Sequence, residues 1–266
     1  MRIASIDAVC FSPTGTTKRV LEAIVAGLGG GTVTLVDLTV AGGDRKVSES
    51  DGQSLALFGL PVYAGRIPQA ALARLEHCQG QATPAVLVVV YGNRAYEDAL
   101  LELSDVVGRQ GFVPVAAGAF IGEHSFSKGE TPIAVGRPDA GDRAKATAFG
   151  AAIRRKLDGL DCLAEAGTLS VPGNRPYRER HPLPAMAPVS RGDVCVRCGL
   201  CATVCPVGAI TVERQADTRE ALCLHCCACV KICPTGARVV ENPQLLEIAR
   251  RLATNCAARK EPETYL

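Results

Sequence analysis

Eight of the chain's 13 cysteines share one spacing, used twice. Cys195, Cys198, Cys201 and Cys205 stand as C-x2-C-x2-C-x3-C before Pro206, and Cys223, Cys226, Cys229 and Cys233 repeat it before Pro234. Runs of this kind supply thiolates to [4Fe–4S] clusters. A cubane needs four thiolates at the corners of a tetrahedron. Two-residue gaps let a tight loop set three sulfurs around three irons, and the fourth iron must take its thiolate from elsewhere. The three-residue gap and the proline turn the chain outward, toward a neighbouring cluster. A chain built this way is committed to one-electron chemistry.

The two runs align beyond their cysteines, CVRCGLCATVCPVGAI against CLHCCACVKICPTGAR, which predicts two similar halves. The pattern resembles bacterial two-cluster ferredoxins, in which the fourth cysteine of each run ligates the other cluster. That resemblance implies two [4Fe–4S] clusters. Cys195, Cys198, Cys201 and Cys233 would hold one, and Cys205, Cys223, Cys226 and Cys229 the other. Apolar residues between the ligands (Val196, Leu200, Val204, Leu224, Val230, Ile232) would shield the clusters. C-x-x-C pairs also bind zinc, but two complete four-cysteine runs with trailing prolines argue against it. A disulfide framework suits small secreted chains, and nothing else here reads as secreted.

The repeat fills only part of 266 residues, leaving a long N-terminal region able to bury a core of its own. Apolar residues make up 47% of the chain, and a formal charge of only +2 offers no polybasic face for nucleic acid. The first residues, MRIASIDAVCF, read as a strand and not as a leader peptide. The longest apolar run, 85–90, is far too short to span a bilayer, so no membrane insertion is expected. These features predict a soluble protein in the reducing cytoplasm.

Strand and helix patterns alternate over the N-terminal region. Strands are expected at 3–11, 32–37, 55–59, 85–90 and 113–120, and helices at 18–28, 69–77, 97–109 and 140–157. This alternation predicts an α/β fold, an open parallel sheet with helices on both faces and ligands at the carboxyl ends of its strands. The first strand–helix junction, FSPTGTTKRV, offers the hydroxyls of Ser12, Thr14, Thr16 and Thr17 around Gly15. A helix N-terminus beyond such a loop suits an anion, here a monophosphate. Neither G-x-x-x-x-G-K-[ST] nor G-x-G-x-x-G is present. The plainer reading is a well-capped helix.

Two further loops, GLPVYAGRIP (59–68) and YGNRAYED (91–98), fall where ligand loops belong in this topology. With SPTGTT they make the N-terminal region resemble flavodoxin. The resemblance implies noncovalent FMN and the strand order 2-1-3-4-5. It places the phosphate at Ser12, Thr14, Gly15, Thr16 and Thr17. It places the ring against Pro61, Val62, Tyr63, Ala64, Gly65 and Arg66, and against Tyr91, Gly92, Asn93, Arg94, Tyr96 and Asp98. Flavodoxins surround their flavin with acidic residues, whereas Arg66 and Arg94 are cations that would raise its potential.

The whole chain therefore resembles a flavodoxin–ferredoxin fusion. Its expected parts are an FMN domain over 1–158, a Pro/Gly-rich linker over 159–189, a small α+β ferredoxin-like domain over 190–241, and a helix and tail over 242–266, the helix spanning 243–260. Arg175 and Tyr177 either dock the two halves or sit in a mere tether. Glu123 and His124 could donate protons near a reduced flavin, though such loop residues are more often plain surface groups. His225 is expected to be a solvated loop residue, and Cys227 a small filler. The expected role is electron transfer between FMN, the clusters and a redox partner such as a ferredoxin, a reductase or an acceptor enzyme. The alternative is a ferredoxin-linked, FMN-dependent reductase of a small-molecule acceptor: a quinone, corrinoid or nicotinamide-type compound. A third reading is a docking module with a degenerate flavin site.

Overall fold

A computed structural model describes residues 1–40, 42, 53–180 and 186–266. Residues 181–185 of the expected linker lie outside that description. The N-terminal elements are β1 (Ser5–Cys10), α1 (Thr16–Leu28), β2 (Thr32–Asp37), β3 (Ser54–Pro61), α2 (Gln69–Leu75), β4 (Thr83–Tyr91), α3 (Ala99–Arg109), β5 (Phe112–Ile121) and α4 (Ala140–Asp158). Strands β1 to β5 are all parallel and lie in the order 2-1-3-4-5, the flavodoxin-like doubly wound order. Every residue of β3 and β4 is buried, as expected of strands covered on both faces. One apolar cluster fills each face of the sheet. Helices α1 and α4 cross closely on one face: a Cβ at Gly27 would meet Thr147 O at 1.9 Å, and one at Gly150 would meet Ile24 O at 2.1 Å.

The cysteine-rich part is built from β6 (Val189–Ser190), α5 (Leu200–Thr203), β7 (Ile210–Val212), β8 (Ala216–Thr218), α6 (Ala228–Ile232) and β9 (Arg238–Val239). Strands β6 and β9 pair antiparallel, as do β7 and β8, and the two short helices each follow a cysteine loop. Helix α7 (Pro243–Asn255) comes next, capped by the Asn242 side chain accepting from Gln244 and Leu245 N–H.

Two features depart from the sequence reading. The C-terminal helix stops at Asn255, short of the expected 260. The tail then returns to the first domain, where β10 (Glu263–Tyr265) adds an antiparallel sixth strand beside β5. Three residues carry no readable period, and their strand state comes from the β5 edge they pair with.

The segment ahead of the cysteines is also no loose tether. Residues 174–180 lie along the acidic start of α3. The Arg175 guanidinium and the Tyr177 hydroxyl donate to Asp105, and the Arg178 guanidinium pairs with Glu97. Arg180 pairs with Glu102 at 2.6 Å.

Candidate functional site

The β1/β3 switch point of the sheet opens into a cavity of about 1140 Å³, counting its open mouth. Ser12, Thr14, Thr16 and Thr17 form its β1–α1 end. Gly15 takes φ +76° at the helix N-cap, a left-handed turn that glycine adopts without strain. The loop is braced from below: Ser12 N–H donates to Thr39 Oγ1 at 2.8 Å, and Lys18 N–H donates to Ser12 Oγ at 3.1 Å. Thr17 Oγ1 is buried without a hydrogen-bond partner. A buried hydroxyl left unbonded beside a helix N-terminus fits an anion that would complete it.

The second and third loops supply Pro61, Val62, Tyr63 and Ala64, and Tyr91, Gly92 and Arg94. Burial, with Glu263 nearby, pushes the Tyr91 phenol up to about 12. The loop after β5 adds Glu123 and His124. A Cβ at Gly92 would fall 2.2 Å from His124 Cδ2, so the imidazole lies directly over that glycine. His124 Nδ1 accepts from Phe126 N–H at 3.0 Å, which leaves the proton of the neutral ring on Nε2. Burial, then the Lys231 and Arg94 charges, push its pKa down to about 4. At neutral pH it is a donor of hydrogen bonds, not an acid.

Six residues expected around the flavin do not line the cavity. Gly15 shapes its loop as described. Gly65 packs on Glu97 and accepts Asp98 N–H at 3.1 Å. Arg66 is claimed by Glu102 in a two-pronged pair at 2.9 and 2.7 Å, and lies over the Tyr177 ring at 4.6 Å. Asn93 donates to Cys256 O at 2.6 Å and Ala258 O at 2.9 Å. Tyr96 bonds Glu263 and Tyr265, and Asp98 accepts from the amides of Asn174 and Arg178. A residue's chemistry is readable from its identity but its partner is not; here Asn93, Tyr96 and Asp98 find theirs in the tail and the linker, and Arg66 finds its own in Glu102 of α3.

The rest of the cavity wall comes from segments the sequence reading left out. Arg178 of the linker, Leu224 and His225 of the second cysteine run, and Ile248 and Leu252 of α7 all line it. His225 is buried, contrary to expectation, with Nε2 unpartnered. Burial of the Tyr63 hydroxyl, with Cys226 and Cys227 beside it, raises its pKa well above normal.

The cysteines gather in two groups. One cavity, about 330 Å³ and likewise open, is lined by Cys195, Cys198, Cys201 and Cys233. Another, about 340 Å³, is lined by Cys205, Cys223, Cys226 and Cys229, with Cys227 also on its wall. Each group takes three cysteines from one run and the last from the other. Among the described residues, no three His, Cys, Asp or Glu side chains close around a single ion. Thiolates set around a hollow suit a cubane better than one zinc ion, which draws four ligands to about 2.3 Å. Leu224 lines both the second cysteine cavity and the large one.

Residues 191–211 match a 4Fe-4S binding domain family. A 37-residue stretch is 49% identical to a component of the F(420)H(2) dehydrogenase of Methanosarcina mazei, covering 14% of this chain and only 11% of that relative. Similar solved structures include an archaeal flavodoxin (13% identity, TM-score 0.39, 59% of this chain and 99% of that one). A flavodoxin from Streptococcus pneumoniae TIGR4 gives 15% identity and TM-score 0.40, over 58% of this chain and 99% of that one. The Flv1 flavodiiron core of Synechocystis gives 15% and 0.42, over 59% of this chain and 36% of that one. The fold assignment rests on the strand order itself. No helix among the described residues is long and apolar enough to cross a membrane.

Proposed function

We propose that the chain is an iron–sulfur flavoprotein that passes electrons between FMN, two [4Fe–4S] clusters and a redox partner protein. The observation that carries this reading is the shared wall at Leu224, between the cavity at the β1/β3 switch point and the second cysteine group. When bound, FMN exchanges electrons singly or in pairs and each cluster exchanges one, so the protein's own task is binding, orientation and electrostatics. Ser12, Thr14, Thr16 and Thr17 hold the phosphate. Tyr63 and Tyr91 flank the ring, and Leu224 and His225 keep water out between flavin and cluster.

The order of stations follows from position. The group of Cys205, Cys223, Cys226 and Cys229 lies beside the flavin cavity, with Cys226 and Cys229 buried and none of the four exposed. The group of Cys195, Cys198, Cys201 and Cys233 includes the exposed Cys198, beside Val196 at 62% exposure. The partner meets this outer group. A cytoplasmic setting belongs to the same reading, because solvent-facing cluster thiolates need a reducing compartment.

Protein purified without oxygen should contain one FMN and eight irons, and flavin and clusters should equilibrate during an anaerobic redox titration. Cys198→Ser should remove the outer cluster's spectrum and leave FMN in place. Flavin that cannot exchange electrons with iron would end the proposal. The reductase reading draws on Arg94 and Arg178, which stand half-exposed at the solvent edge of the cavity. It requires saturable reduction of a quinone, corrinoid or nicotinamide acceptor faster than free FMN achieves.

A further inference from the structure

The two cysteine runs match closely after their last ligand, CPVGAI against CPTGAR, but Ile210 in the first corresponds to Arg238 in the second. Ile210 is an ordinary buried apolar residue. Arg238 is just as deeply buried, at 2% exposure, and is the largest fully buried side chain among the described residues. A guanidinium cannot shed its charge inside a protein.

Its surroundings are polar but neutral. Nη1 donates to Ser190 Oγ at 2.9 Å and Ala216 O at 2.8 Å; Nη2 donates to Pro188 O at 2.7 Å and to Thr218 Oγ1; Nε has no partner. No carboxylate pairs with it among the described residues, where fourteen other ion contacts occur. What it does face is sulfur. Nη2 lies 3.9 Å from Cys229 Sγ of the inner group, and Arg238 also lines the cavity of the outer group.

Burying a charge without a counterion is strongly unfavourable, and proteins resolve this by pairing it or coordinating it. We infer that Arg238 is the internal counter-charge of both iron–sulfur clusters, a fixed cation between them that favours their reduced state. Each reduction adds one negative charge to a cluster already bearing anionic thiolates. A permanent positive charge in a dry interior offsets that addition far better than water-screened surface charge would. Hydrogen bonds and charge around the sulfurs are among the levers that set cluster potentials. The second half of the repeat alone supplies the cation, since one guanidinium reaches both sites.

The inference rests on the two-cluster reading, and its test separates the two. Iron counted in the unaltered protein examines that reading. EPR-monitored redox titration of loaded Arg238→Gln, Arg238→Met and Arg238→Lys proteins examines Arg238. Gln keeps polar contacts without charge, Met keeps bulk alone, and Lys keeps charge. In Gln and Met the reduced-to-oxidised ratio at a fixed poise should fall about tenfold for the cluster nearer Cys229, about 59 mV for a one-electron couple. The outer cluster should shift the same way, and Lys should stay near the original potentials. Gln and Met proteins that fail to hold iron while Lys holds it would support the same role. Unchanged potentials in Gln and Met, or a Lys protein that behaves like Gln, would overturn it.

Discussion

Thr17 carries a hydroxyl that is buried at 1% exposure and bonds to nothing. A shape-matched Thr17→Val replacement removes that unsatisfied group. The FMN-free protein should therefore gain up to about 1 kcal/mol of stability. FMN affinity should fall about tenfold, the usual worth of one lost hydrogen bond to a charged group. Denaturation of FMN-free protein and flavin fluorescence titration give the two numbers, and an unchanged FMN affinity would mean that the hydroxyl has no part in phosphate binding. His124 leads to a second expectation. Its folded pKa lies below its ordinary value, so the ring is neutral throughout the physiological range and gains a proton only near pH 4. Flavin potential and affinity should show no inflection attributable to His124 between about pH 6 and 8, the window of an ordinary imidazole; a titrating imidazole resonance there would contradict this. Residue chemistry of this kind was half legible in the sequence. The hydroxyl loop and Tyr63 could be placed on the cavity wall, because they follow strands at the end of the sheet where ligands lie in this topology, although the same hydroxyls also suit a helix cap. Arg66 and Asp98 did not, because a charge in a sequence does not say which opposite charge will claim it.

At the scale of elements, the period of the apolar residues carried the fold. Buried parallel strands must be continuously apolar and helices must keep one apolar face, so the strands and helices of the sheet domain could be placed to within a few residues. What periodicity could not convey is the strapping of residues 174–180 onto α3, which depends on charges far apart along the chain. Asp98 shows how that contact responds to acid. Burial alone would raise its pKa, but the Arg178 and Asn174 amides and the Asn174 side chain outweigh this and hold it below the ordinary carboxylate value. Glu97 is lowered likewise: burial would raise it, and Arg94 and Arg178 on either side outweigh that. A depressed carboxylate adds stability that is complete above its unfolded pKa and disappears as pH falls through the folded one. Amide protection at Asn174 and Arg178 should therefore be flat above about pH 4 and decline below it. In Asp98→Ala it should be reduced at neutral pH by about 1–3 kcal/mol. Protection that ignores both the acid and the substitution would show that Asp98 does not hold the strap.

Across the whole molecule, the large cavity is closed by parts that are distant in sequence, and the tail holds the last of them in place. Helix α7 contributes Ile248 and Leu252 to the wall. Beyond it, Asn93 binds the backbone of residues 256, 258 and 260, the last at 3.3 Å, and Arg137 donates to Lys260 O at 2.8 Å. Arg259 pairs with Asp139 at 2.7 Å, and β10 pairs with β5. Here Asn93 and Tyr96, which by sequence belong to a flavin loop, serve as anchors for the chain end. Removing residues 257–266 would leave the far end of α7 with the Asn93 bond to Cys256 O but without the contacts made by Ala258, Arg259, Lys260 and β10. FMN should then dissociate faster, and iodide should quench flavin fluorescence more strongly, while iron content stays unchanged because no tail residue lines a cysteine cavity. Deletion also strips β5 of its neighbour and exposes an unpaired edge, so self-association should rise. Asn93→Ala separates the two effects: it frees the tail's first turn but leaves β10 on the sheet, and it should reproduce the faster FMN loss without the association. If flavin release is as slow in both variants as in the full chain, α7 is not held over the cavity by the tail.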